Sequence, residues 1–295
     1  MRLGAGTPRL SGMDPVPSVR RFHTDPADLP ILRMIVGVGR GGSTALLRAF
    51  ASHSQVAAIY QPVQAGQRVL GRPDYRIYAR HPVFEVHPGK AFVAKETPST
   101  ALKAAPIDVF PYDAAVRRVR PVFLFRDPFA SWSSLRRLIP GGLDPFVAAY
   151  RHAIALYERA CMTTDSGASC LTLEHLCDHP EAVLRTICRR WGLAYEPSML
   201  VWTRPLEHQM VVFDHDRRAM RDTPASTSTA RTSRTFGHSV APVEMSRGER
   251  RTIAEQLAER FESLHRDAQA MFPFARPTVP MAVSQGIGAP SGGPG

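Results

Sequence analysis

An α/β fold built on a parallel central sheet flanked by helices is predicted by three observations. Short runs of Val, Ile, Leu and Phe recur along the chain, segments of helical period separate them, and a glycine-rich turn joins the first run to the first helix. Strands that alternate with helices of this length pair in parallel, with the crossovers covering both faces. Open sheets of this kind bind ligands beyond the carboxyl ends of their strands. Chemistry is therefore expected at those ends.

Residues 1–28, rich in Pro, Gly, Arg and Ser and without periodicity, read as a disordered leader. The domain proper is expected over 29–276. Leu32 to Val38 is a buried strand, and Ser43 to Ser52 is the helix that leaves the glycine turn. Val56 to Tyr60 is a second strand. Residues 62–90 carry four prolines and three glycines and are expected as an irregular excursion that faces substrate. Ala91 to Lys95 and Pro121 to Phe125 are further strands, and Pro128 opens a helix that runs through Arg137. An amphipathic helix covers Pro145 to Cys161, a strand Cys170 to Leu173, and a helix Pro180 to Trp191. Residues 203–239 have no clear period. Ser246 and Glu249 stand at capping-box spacing ahead of Ile253, Leu257, Phe261 and Leu264, which predicts a last helix from Ser246 to Phe272. Residues 277–295 read as a disordered tail.

The chain has 295 residues and a net charge of +11, and only Lys90, Lys95 and Lys103 are lysines. An arginine-rich excess suits anionic ligands, because guanidinium forks grip phosphate and sulfate oxygens in pairs. No dense basic run is interleaved with aromatics, so nucleic acid is not expected. Cys161, Cys170, Cys177 and Cys188 lack metal-ligand spacing and read as reduced thiols. No stretch approaches 18 uninterrupted apolar residues, and no signal-peptide pattern opens the chain, so a cytoplasmic protein without a membrane span or metal is expected. Oligomeric state is not readable.

The turn Gly37-Val38-Gly39-Arg40-Gly41-Gly42-Ser43-Thr44 aims main-chain N–H groups and a helix N-terminus at one point, which suits a phosphate or sulfate. Gly37, Gly42 and Thr44 satisfy the Walker A spacing, but Ser43 stands where its lysine belongs. Arg126 ends a strand, and Ser134 lies eight residues on within the next helix, so the two can converge on a second anion. Two spaced anion grips imply a ligand with two separated anionic groups.

On these residues the chain resembles the sulfotransferases that use 3′-phosphoadenosine 5′-phosphosulfate. Gly39 to Thr44 resembles their 5′-phosphosulfate loop, and Phe123-Leu-Phe-Arg126-Asp-Pro with Ser134 resembles their 3′-phosphate segment. Leu171-Thr-Leu-Glu174-His-Leu176, His179-Pro180-Glu181, Leu184, Trp191-Gly192-Leu193 and Pro197 are similar to a later strand–helix signature. The similarity spans residues 32 to 200, with a vaguer likeness to 265.

The resemblance implies a nucleotide-kinase-like P-loop fold, that donor as co-substrate, and no metal. It implies donor contacts from Arg40, Gly41, Gly42, Ser43, Thr44, Arg126 and Ser134. Lys95, in Lys95-Glu96-Thr97-Pro98, resembles the catalytic lysine of tyrosylprotein sulfotransferases, and Arg40 stands beside the sulfuryl group. Those enzymes carry their basic glutamate at a position that matches Gln61 here, and glutamine cannot take a proton. Either another residue serves, the acceptor is already nucleophilic, as an amine is, or the activity is impaired; among substitutes Glu96 is favoured for its proximity to Lys95, ahead of Glu85, His81, His87 and His238. Arg231, Arg234 and His238 match a loop that closes over the nucleotide. The acceptor is a small molecule or peptide with a hydroxyl or amine. A P-loop kinase and a non-catalytic nucleotide-binding protein stay open as alternatives.

Overall fold

The computed structural model describes residues 32–64, 90–98, 109–110, 113–136, 142–164, 168–204, 209–212, 235–236 and 245–273. The leader and tail, most of 62–90 and most of 203–239 lie outside the described residues, and with them His81, Glu85, His87, Arg231, Arg234 and His238.

Six strands form one sheet in the order β5-β4-β1-β3-β2-β6. They are β1 (Leu32–Gly37), β2 (Val56–Tyr60), β3 (Ala91–Glu96), β4 (Val122–Phe125), β5 (Ser169–Thr172) and β6 (Met210–Val212). Every pairing is parallel, as the strand–helix alternation predicts. The helices are α1 (Ser43–Ala51), α2 (Asp113–Val119), α3 (Pro128–Leu135), α4 (Leu143–Thr163), α5 (Leu173–Asp178), α6 (Pro180–Trp191), α7 (Arg247–Ile253) and α8 (Glu259–Met271). A π-helical turn, Ala254–Ala258, joins α7 to α8 within the stretch expected as one helix. The capping box forms as predicted, with Ser246 and Glu249 each satisfying the other's amide.

Successive strand side chains alternate between faces, and each face has its own core. On the first face Val36, Ile59, Phe92, Ala94, Phe123 and Phe125 pack against α2, α4 and the last helix. On the second, Ile35, Ala58, Val93, Leu124 and Leu171 pack against α1 and α6, where Phe50 meets Trp191 with ring centroids 4.7 Å apart. The two sets interleave residue by residue along β1, β2, β3 and β4, which gives the strands their continuous apolar character. At the carboxyl end of β3, Lys95 pairs with Ile35 and Tyr60 and so belongs to the second face, whereas Glu96 pairs with Val36 and belongs to the first.

Three elements depart from expectation. β6 is three residues long, too short to show a period. α2 carries Asp113, Arg117 and Arg118 on a single turn-and-a-half, which hides its apolar side of Ala115, Val116 and Val119. α5 begins at Leu173, where the sequence predicts the strand to continue, because the Thr172 side chain accepts the His175 amide and caps a helix there.

Candidate functional site

The β1–α1 turn opens directly onto the C-terminal edge of the sheet. Its amides are tied back by Val38 N–H to the Leu124 carbonyl at 3.3 Å and Gly41 N–H to the Val38 carbonyl at 3.0 Å. Gly42 is the N-cap of α1 and sits at φ +87, the left-handed region that side chains rarely adopt. A Cβ there would also lie 2.5 Å from Leu173 Cδ1. Gly37 is needed for a different reason, since a Cβ on it would lie 2.5 Å from Ser43 Cβ. No acidic residue occupies the first turn of α1, so its positive end is not neutralised from within. Gly42→Ala is expected to lose about 1–2 kcal/mol from backbone strain alone, with more from the clash. Thermal unfolding checks this, and an unchanged midpoint would show that the turn relaxes freely.

Arg40 adopts φ +64 and Gln61 φ +48, two of three non-glycine residues at positive φ among those described. Strain of this kind is of order 1–3 kcal/mol and persists only where surrounding contacts hold it. For Gln61 the contact is its own amide, which donates to the Lys95 carbonyl at 2.8 Å. For Arg40 it is Nε, which donates to Ser134 Oγ at 2.9 Å across to α3. Arg126 Nη1 donates in turn to the Arg40 carbonyl at 3.3 Å. The glycine turn and the Arg126–Ser134 pair are thus brought together, with Arg40 as the link.

Arg126 is placed by its neighbours in sequence and space. Asp127 Oδ1 accepts the Ala130 amide at 2.7 Å and caps α3, with Pro128 at the start of the helix. Tyr150 O–H donates to the Arg126 carbonyl at 2.7 Å. Burial lowers the Arg40 pKa, and the adjacent Arg126 charge lowers it further. Burial also lowers that of Arg126, opposed by Glu174 and then Asp127. Two half-buried guanidinium groups held close repel, and an anion between them would relieve that repulsion.

Lys95 is 4% exposed, and its Nζ lies over the Tyr60 ring, 4.5 Å from the centroid. Among the described residues its ammonium makes no hydrogen bond or ion pair. Tyr60 also acts electrostatically on Arg40, so the lysine and the turn share one aromatic neighbour. Glu96 is fully buried on the opposite face, where Oε1 accepts the Val63 amide at 2.6 Å and holds the turn after Gln61. Ser43 is buried in the first turn of α1, and Thr44 is half-buried beside it. No sequence motif assigns Tyr60, Tyr150 or Glu174 a role here. An aromatic residue at a strand end and a glutamate inside the apolar run Leu171–Leu176 were the available signals.

Among the described residues, no group of three or more His, Cys, Asp or Glu is placed to hold a metal ion. None of their helices is long and apolar enough to cross a membrane.

Fold and site together describe an α/β protein whose glycine turn stands beside Arg40 and Arg126 at the strand ends. No protein-family model matches the chain, and no curated protein matches it. Among solved structures it is similar to the sulfotransferase domain from the Synechococcus PCC 7002 olefin synthase. The identity is 14% and the TM-score 0.44, over 79% of this chain and 97% of that one. It is also similar to the sulfotransferase domain from the curacin biosynthetic pathway, at 15% identity and a TM-score of 0.40, over 78% of this chain and 98% of that one.

Proposed function

We propose that the chain is a sulfotransferase. In this reading it moves the sulfuryl group of 3′-phosphoadenosine 5′-phosphosulfate in line to a hydroxyl or amine of a small-molecule or peptide acceptor. One observation carries the reading: Arg40, Lys95 and Arg126 gather at the ends of three adjacent strands, around a glycine turn without the Walker lysine. The turn and Arg40 would hold the 5′-phosphosulfate. Arg126 and Ser134 would hold the 3′-phosphate.

As the acceptor bonds to sulfur, the bond from sulfur to the 5′-phosphate oxygen breaks and negative charge grows on that oxygen. Cations already in place stabilise it without reorganising, and Lys95 and Arg40 are the candidates. For an amine acceptor the nitrogen lone pair attacks, and the proton of the sulfonated nitrogen then passes to water. Glu96 enters this reading as a scaffold residue, because it is buried on the opposite face and holds the Val63 amide. An amine, nucleophilic without help from a carboxylate, suits a site with Gln61 at the expected base position.

Titration calorimetry on the full chain tests the donor. Adenosine 3′,5′-bisphosphate is expected to bind tighter than adenosine 5′-monophosphate by about tenfold or more, since a second charged grip adds upwards of about 1.4 kcal/mol. Equal affinities would remove the two-grip reading. Transfer from sulfur-labelled donor is expected to persist in a chelator. Phosphoryl transfer from ATP that requires magnesium would favour the kinase alternative, which the Walker-like spacing of Gly37, Gly42 and Thr44 supports.

A further inference from the structure

We propose that Glu174 is a positioning residue for the anion grip of Arg126, acting by pinning the peptide plane that carries it. The inference rests on the reading of that grip as the 3′-phosphate site.

The peptide unit between Arg126 and Asp127 is held at both polar ends. Its carbonyl accepts the Tyr150 hydroxyl at 2.7 Å, and its N–H donates to Glu174 Oε1 at 3.2 Å. A peptide plane fixed at both ends cannot rock about its flanking dihedrals, so the Cα–Cβ direction of Arg126 is set before any ligand arrives. Each anchor comes from an element that is itself well placed. Tyr150 is 1% exposed within α4, and Glu174 stands in the first turn of α5, where the Thr172 cap fixes the start of the helix.

Charge points the same way. Glu174 is the leading favourable charge on Arg126, ahead of Asp127. Asp127 is already engaged in capping α3. The second oxygen of Glu174 is sealed from solvent and has no hydrogen-bond partner among the described residues. Burial raises the Glu174 pKa; its own amide and then the Asp127 amide lower it, the Asp127 charge raises it again, and Arg126 offsets part of the rise. An acceptor kept in so costly a place, reaching across to the Asp127 amide from another element, is explained if that amide must not move.

The two contributions, reach and charge, separate by substitution. Glu174→Gln keeps the acceptor at the same reach and removes the charge. Glu174→Asp keeps the charge and withdraws it by one methylene. Calorimetry with adenosine 3′,5′-bisphosphate is expected to give a dissociation constant within about threefold of the parent for Gln. For Asp it is expected to rise about tenfold, as when a hydrogen bond to a charged group is lost. Turnover at saturating donor should stay within about twofold for both. Parent-like affinity in the Asp variant overturns the proposal. So does a fall in its turnover without a change in affinity. Should the Asp variant fail to fold by circular dichroism, Tyr150→Phe releases the other end of the same peptide plane and should weaken binding several-fold, and unchanged affinity there overturns the proposal. If the parent protein itself does not bind the bisphosphate, the reading of the site fails and the inference with it.

Discussion

Arg126→Ala is expected to weaken adenosine 3′,5′-bisphosphate by about 30-fold or more. Truncating one partner of a buried charged pair costs about 2–5 kcal/mol, and the lower bound already gives that factor. The fold should survive, because Arg126 sits at the rim of the sheet and its removal relieves repulsion with Arg40. Its main-chain bonds to Tyr150 and Glu174 do not depend on the side chain. Arg126→Lys separates charge from shape: an ammonium is a point charge and cannot grip two oxygens in a plane, so it should recover only part of the loss. Calorimetry measures both. Unchanged affinity in the Ala variant would mean that Arg126 serves the sheet edge and not a ligand.

Lys95→Met is expected to act on rate and to leave donor affinity nearly unchanged. Removing one preorganised donor from a site of developing charge costs about 10²–10³ in turnover. Methionine fills a similar volume and packs well over the Tyr60 ring, so the surrounding contacts survive. Stability should hold or rise, since the buried ammonium has no acidic partner among the described residues to offset its desolvation. Turnover and the bisphosphate dissociation constant, measured on the same preparation, check the split. Parent-like turnover would make Lys95 a packing residue.

Much of the architecture was legible because apolar runs bounded by Gly, Pro and Asp are strong strand signals. β1, β3 and β4 lie close to their expected bounds for this reason. The proline-initiated helix after the Arg126 strand was readable too, and Arg126 and Ser134 each hydrogen-bond to Arg40. β6 was not legible, because three residues carry no period. α5 was hidden by the local competition at Leu173, where a single threonine cap turns strand into helix. The relation of Glu96 to Lys95 misled for a simple reason. Neighbours in a strand are close along the chain yet point to opposite sides of the sheet, so adjacency argued for a shared pocket that the pleat denies. The role of Glu174 depends on a peptide plane 47 residues earlier in the chain, and no local pattern announces it.

The pairing of Ile35 and Tyr60 with Lys95 has an implication for insertions and deletions. Losing one residue between β2 and β3 without compensation would slide the strand by a single step and present a carboxylate in place of the ammonium. The pocket would then reverse the sign of one of its charges while every side chain in the protein kept its identity. Variation in the length of the stretch before Ala91 should therefore be harmless only when its own slack absorbs it, because the alignment of this one ribbon decides whether the strand end strengthens or weakens the pull on an anion.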